Sequence, residues 1–185
     1  TPEALNNFVR LLNCLEELET NEPIAVLVAL GSSPSPNRLT ETLINKHYLA
    51  ISSPFYDLKM HSCWQKNSQS VLLGPGQFFS WAGLAEVGLT TAGTATEQLV
   101  GLGIPAISYP GQGPQFKKGF ALRQSRMLDG SVRPFFDPMT IADQLKLLLE
   151  DSQLRQSLGS RGVNRMGRPG ASHRLAELVS RLLLR

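Results

Sequence analysis

The stretch EVGLTTAGTATEQLVGLGIPAISYPGQGPQ, from Glu86 to Gln115, decides the reading of this chain. An apolar run ends in a Gly/Thr/Ala turn that opens into a helix. A second apolar run follows and closes on a loop of Gly, Pro and Gln. In this order of strand, glycine turn, helix, strand and polar loop, a parallel sheet presents backbone N–H groups to an anionic or hydroxyl-rich ligand.

Within the stretch, Gly93-Thr94-Ala95-Thr96 lies between a strand ending near Thr91 and a helix starting about Ala95. Glycine permits close backbone approach, and Thr94 or Thr96 can cap the helix. The remaining N–H groups of the first turn then form a site for a phosphate or diphosphate. Glu97 and Gln98 fall in that same turn, where a carboxylate is favoured by the helix dipole and can accept hydrogen bonds from the vicinal hydroxyls of a ribose. A plain capped helix behind a strand is the competing reading, since every α/β domain holds several. The next loop, Pro110-Gly111-Gln112-Gly113-Pro114-Gln115, leaves the following strand at the same edge of the sheet. Two amides on a Gly/Pro scaffold donate and accept at once, which suits sugar hydroxyls better than phosphates. Here the competing reading is that the glutamines cap the helix beginning at Gln115. Phosphate-side groups at one strand end and amides at its neighbour together suit a nucleotide-sugar.

Working outward, Thr1-Pro2-Glu3 reads as a helix start, with Thr as N-cap, Pro at the first helical position and an acid in the first turn. Leu5, Phe8, Val9, Leu12 and Leu15 recur at helical spacing until Asn21-Glu22-Pro23 breaks the pattern. Ile24–Leu30 shows no alternation, as expected of a parallel strand buried on both faces, and runs into the loop GSSPSPN. Further helices are expected over Arg38–Tyr48, Gln77–Ala85, Gln115–Met127, Ile141–Glu150, Ser152–Arg161 and Ala171–Leu184, with short strands at Val71–Leu73 and Ser131–Phe135. Ser52–Ser70 has no sustained period and reads as loop with one short strand at most. Helices and unalternated strands taking turns argue for an α/β fold with a parallel sheet. Right-handed crossover units normally begin with a strand, whereas this chain begins with a helix, so it reads as part of a larger protein.

The 185 residues fit one domain, and an apolar content of 42% suffices for a real core. Cys14 and Cys63, the only cysteines, make neither a C-x-x-C metal knuckle nor a disulfide framework, which favours a reducing, cytoplasmic setting. No run of about 18 apolar residues is present to span a membrane. Seven arginines against one acid, Glu177, between Ser152 and Arg185 make a basic end that reads either as a solvated helix face or as a contact for anionic lipid. No aromatic residue lies among them, so the stacking platforms of nucleic-acid binders are missing. His47, His61 and His173 are scattered without ligand spacing and suit surface or helix-cap roles. Trp64, Trp81 and Phe79 suit core or interdomain packing.

At these residues the chain resembles the carboxyl-terminal, donor-binding domain of GT-B glycosyltransferases, in particular lipid-A-disaccharide synthase and its uncharacterised relatives. The likeness lies in GLTTAGTATEQLVGLGIPAISYPGQGPQF and, more loosely, in RMGRPGASHRLAELV. It implies a Rossmann-like three-layer α/β/α domain with a parallel sheet over residues 1–185, forming one half of a GT-B fold whose amino-terminal domain is the partner. It also implies a UDP-sugar donor, with no further cofactor or metal, and a lipid or sugar acceptor that receives a hexosyl group. The implied donor site is Gly93, Thr94, Ala95, Thr96, Glu97 and Gln98 for the diphosphate and ribose, with Gly111, Gln112, Gly113 and Gln115 for the sugar. In the family the ribose-binding acid falls five residues after the motif glycine. That place is held here by Gln98, with Glu97 one position earlier; one helical step turns a side chain by about 100°, so the ribose falls to one or the other. The catalytic base of such enzymes comes from the other domain, so this piece is expected to bind without turnover. A UDP-sugar epimerase of the same fold and a non-catalytic nucleotide-binding domain are the alternative readings.

Overall fold

A computed structural model describes residues 2–55, 58–111, 113 and 116–183. The elements run α1 (Pro2–Glu16), β1 (Ile24–Leu30), α2 (Pro36–Asn45), β2 (Leu49–Ile51), β3 (Ser62–Lys66), β4 (Gln69–Pro75), α3 (Phe78–Ala82) and β5 (Gly88–Thr90). They continue with α4 (Thr94–Gly101), β6 (Ala106–Ser108), α5 (Lys118–Met127), β7 (Val132–Pro134), α6 (Pro138–Glu150), α7 (Ser152–Met166) and α8 (Ala171–Leu183). The fold is Rossmann-like α/β, and every helix and strand expected from sequence has a counterpart. Thr1, Leu184 and Gln115, expected at helix ends, lie outside the described residues.

The sheet is where expectation and structure part. The strands form two ladders: a four-stranded sheet of order β1-β4-β3-β2 and a three-stranded parallel sheet of order β5-β6-β7. β1 pairs parallel with β4, but β3 runs antiparallel to both β4 and β2. The segment read as loop therefore contains β3 and the start of β4, joined by a tight turn in which Asn67 takes a positive φ of 52°. Turns of this sort tolerate Asn, and two residues suffice to join antiparallel strands. β1 is not buried on both faces either. It is an edge strand, and only Leu30 within it is buried.

One apolar layer covers both sheets. Phe8, Leu12 and Leu15 of α1, Leu39 and Leu43 of α2, and Ile141, Leu145 and Leu148 of α6 pack with Val71 and Leu73 of β4 and Ile107 of β6. Leu12, Leu39 and Leu43 are almost wholly enclosed, each contributing about 1.5–3 kcal/mol by leaving water. Strand alternation sends Leu72 to the opposite face, where it meets Cys63 and Trp81 of α3. Val100 of α4 packs beside Ala106 and Val132. Trp64 and Trp81 are thus core residues as expected, but Phe79 is 79% exposed. Both cysteines are free and buried; burial pushes the Cys14 thiol up to about 11.

α7 lies against α4 through glycine. A Cβ at Gly159 would collide with the carbonyl of Gly103, and one at Gly162 with Val100. α7 also extends five residues beyond its expected end, and its amino end is capped by Asp151, whose carboxylate accepts from the Leu154 N–H at 2.8 Å.

Candidate functional site

Parallel pairing puts Thr90 of β5 opposite Ser108 of β6. The turn 91–93 and the loop beginning at Tyr109 therefore leave neighbouring strands at one carboxyl edge, where a doubly wound fold places its ligands. α4 starts there, with Gly93 as N-cap, and no side chain caps it. The N–H groups of its first turn remain without a capping side chain, next to the positive end of the helix dipole.

Neither threonine caps. Thr96 is wholly buried; its hydroxyl lies 2.6 Å from the Ala92 carbonyl and 2.7 Å from the Thr90 hydroxyl, stitching α4 to the end of β5. A threonine three residues into a helix finds the carbonyl four residues back more readily than the open N–H groups ahead of it. Thr94 is exposed and Ala95 half-buried. Of the two ribose candidates, Gln98 is exposed, whereas Glu97 is half-buried and held in place: its Oε1 accepts from Gln124 Nε2 at 3.3 Å. The same nitrogen donates to the Gly93 carbonyl at 3.0 Å, which fixes the orientation of the amide. Gln124 is 2% exposed, and its Oε1 has no hydrogen-bond partner.

The glycine at the turn has also found a neighbour. A Cβ at Gly93 would stand 3.4 Å from the Phe120 ring of α5, in ordinary contact, so the turn lies against that ring. Phe120 in turn packs at 5.3 Å, centroid to centroid, against Phe116, whose carbonyl accepts from the Gly111 N–H at 3.0 Å. Phe116, Phe120 and Gln124 thus join the two loops. Sequence reading missed them; Phe120 and Gln124, four residues apart, share one face of α5, whereas Phe116 precedes its N-cap.

Of the loop expected to hold a sugar, Gln112, Pro114 and Gln115 lie outside the described residues. Gly111 and Gly113 are turned toward α1. A Cβ at Gly111 would stand 2.8 Å from Asn7 Nδ2, and one at Gly113 would stand 3.5 Å from Glu3 Oε2. Arg10 completes the anchor: it donates to the Pro110 carbonyl at 2.7 Å, and its guanidinium lies 3.7 Å from the centroid of the Tyr109 ring. Arg10 thus holds the start of this loop at the sheet edge, with Asn7 and Glu3 of the same stripe of α1 beside Gly111 and Gly113.

A cavity of about 400 Å³ lies elsewhere, at the amino edge of the first sheet, lined by residues including Glu16, Glu19, Lys66, Asn67, Gln69 and Lys146. Glu16 is shared between Lys46 at 2.6 Å and Lys66 at 2.7 Å. Burial raises the Glu16 carboxyl, but the hydrogen bonds and charges of the two lysines outweigh it and hold the group below the usual carboxylate range. Both lysines of that cluster are thus already partnered. Among the described residues no group of three His, Cys, Asp or Glu could hold a metal ion. His47, with φ of 63° just past α2, stands at a helix end, and His173 is exposed on α8.

No family model and no curated protein matches this chain.

Proposed function

We propose that this chain is the donor-binding half of a glycosyltransferase related to lipid-A-disaccharide synthase, taking a UDP-sugar. The uncapped start of α4 at the carboxyl edge of parallel strands, beside a carboxylate oriented from a second helix, carries the reading. The diphosphate would lie on the first-turn N–H groups around Gly93–Thr96, where the helix dipole stabilises it as a leaving group. Glu97 would accept from the ribose hydroxyls; the clamp from Gln124 favours it over the exposed Gln98. The 110–115 loop, braced by Arg10, would face the sugar. In this reading the acceptor and the catalytic base lie in another domain, and the protein works in the cytoplasm at a membrane surface that its arginine-rich end meets by charge. The experiment is titration calorimetry with UDP and UDP-N-acetylglucosamine. Binding at or below millimolar concentration is expected, and the absence of binding to both refutes the donor assignment.

One observation favours a second reading. The Thr96 hydroxyl is wholly buried and spent on the Ala92 carbonyl and the Thr90 hydroxyl, out of reach of a substrate, as suits a nucleotide-binding domain that does no chemistry. Nucleotide binding without turnover by the full protein would support it.

A further inference from the structure

α8 sends none of its side chains into the core. Leu175, Leu178, Val179, Leu182 and Leu183 recur at helical spacing along one side and all are exposed, Leu182 to 70% and Leu183 to 74%. His173, Arg174, Glu177, Ser180 and Arg181 fill the opposite arc. The helix has local reasons to form: Arg174 donates to the carbonyls of Arg168 and Pro169 at 2.9 and 2.8 Å, and His173 pairs with Glu177 at 3.4 Å one turn on.

We propose that α8 lies in the plane of an anionic membrane, with its apolar face in the interfacial layer and Arg174 and Arg181 at the level of the headgroups. Its apolar residues keep to one side, with Arg174, Glu177 and Arg181 on the other, so the helix suits the interfacial plane and not a span through hydrocarbon. Charge selects the occupant. From Ser152 to Leu183 five arginines are exposed (Arg161, Arg165, Arg168, Arg174 and Arg181) against one acid, Glu177; Arg155 is paired with Glu86. Two copies apposed through this face would crowd those arginines together, whereas anionic lipid neutralises them. The inference is independent of what the carboxyl edge binds, and it differs from a contact by charge alone in requiring the leucines.

The whole chain is floated with vesicles of phosphatidylcholine, with and without phosphatidylglycerol. Binding is expected to be about tenfold or more stronger where phosphatidylglycerol is present. It should fall about tenfold or more in the double variant Leu175→Ser with Leu182→Ser, whose exposed positions leave the melting temperature unchanged. Raising salt from about 0.1 M to about 1 M cuts the screening length from about 10 Å to about 3 Å and should weaken binding without abolishing it. A Leu178→Trp variant should shift its emission to the blue on these vesicles. Equal binding to uncharged vesicles, failure to bind either kind, or loss of all binding in salt with unshifted Leu178→Trp emission would each overturn the proposal. So would a stable dimer that the double serine variant dissociates, which would give the face to a second copy.

Discussion

Glu97 and Gln98 are neighbours in sequence and opposites in setting. A carboxylate in the first turn of a helix suits the dipole, and here Gln124 Nε2 donates to it at 3.3 Å. An exposed amide one step on has no such constraint. The donor-site reading therefore makes a ribose prediction. The wild-type chain should prefer UDP over 2′-deoxy-UDP by roughly ten- to a hundredfold, the worth of a hydrogen bond to a charged group. Glu97→Ala should erase that preference while Gln98→Ala keeps it. Gln124→Ala should erode it too, and should cost about 0.5–1.5 kcal/mol of stability through the lost bond to the Gly93 carbonyl, which keeps the Glu97 N–H as its other donor. Affinity measurements with the two nucleotides decide the matter, and the opposite pattern would hand the role to Gln98.

At the scale of elements, α4 owes its position to partners on both sides. Thr96 ties its first turn to β5, and α7 presses against its far end through Gly159 and Gly162. Gly159→Ala should therefore force the two apart, costing about 1–3 kcal/mol by overpacking and lowering the thermal midpoint. An unchanged midpoint would show that α7 can slide without loss. The order of helices was legible in the chain because Leu, Phe and Ile recur at helical spacing from Leu5 to Leu148. The 86–115 stretch was legible because its turns are spelled in glycine and proline. The β3–β4 hairpin was not: Ser62–Lys66 and Gln69–Ser70 are mostly polar or singular residues, and their strand state comes from pairing with β2 and along Val71–Leu73, not from local preference. Nor was the edge position of β1, since an apolar run reads the same whether one neighbour or two lie beside it. The clamp by Gln124 is invisible locally for the same reason, joining residues 27 apart in the chain.

Across the whole molecule, the parallel strands separate two edges of different character. The carboxyl edge gathers an uncapped helix start, an oriented carboxylate and a loop braced by Arg10. The amino edge holds a cavity of about 400 Å³ whose Glu16 and Lys66 already satisfy one another. Room alone would favour the second edge, but chemistry favours the first, because a helix start without a side-chain cap stands there beside an oriented carboxylate. The most direct test is to titrate UDP into isotope-labelled chain and follow backbone amide resonances by NMR. The account predicts shifts at Thr94–Gln98, spreading to Gly111 and Gln124. Shifts confined to Lys66, Asn67 and Lys146 at the opposite edge would contradict it.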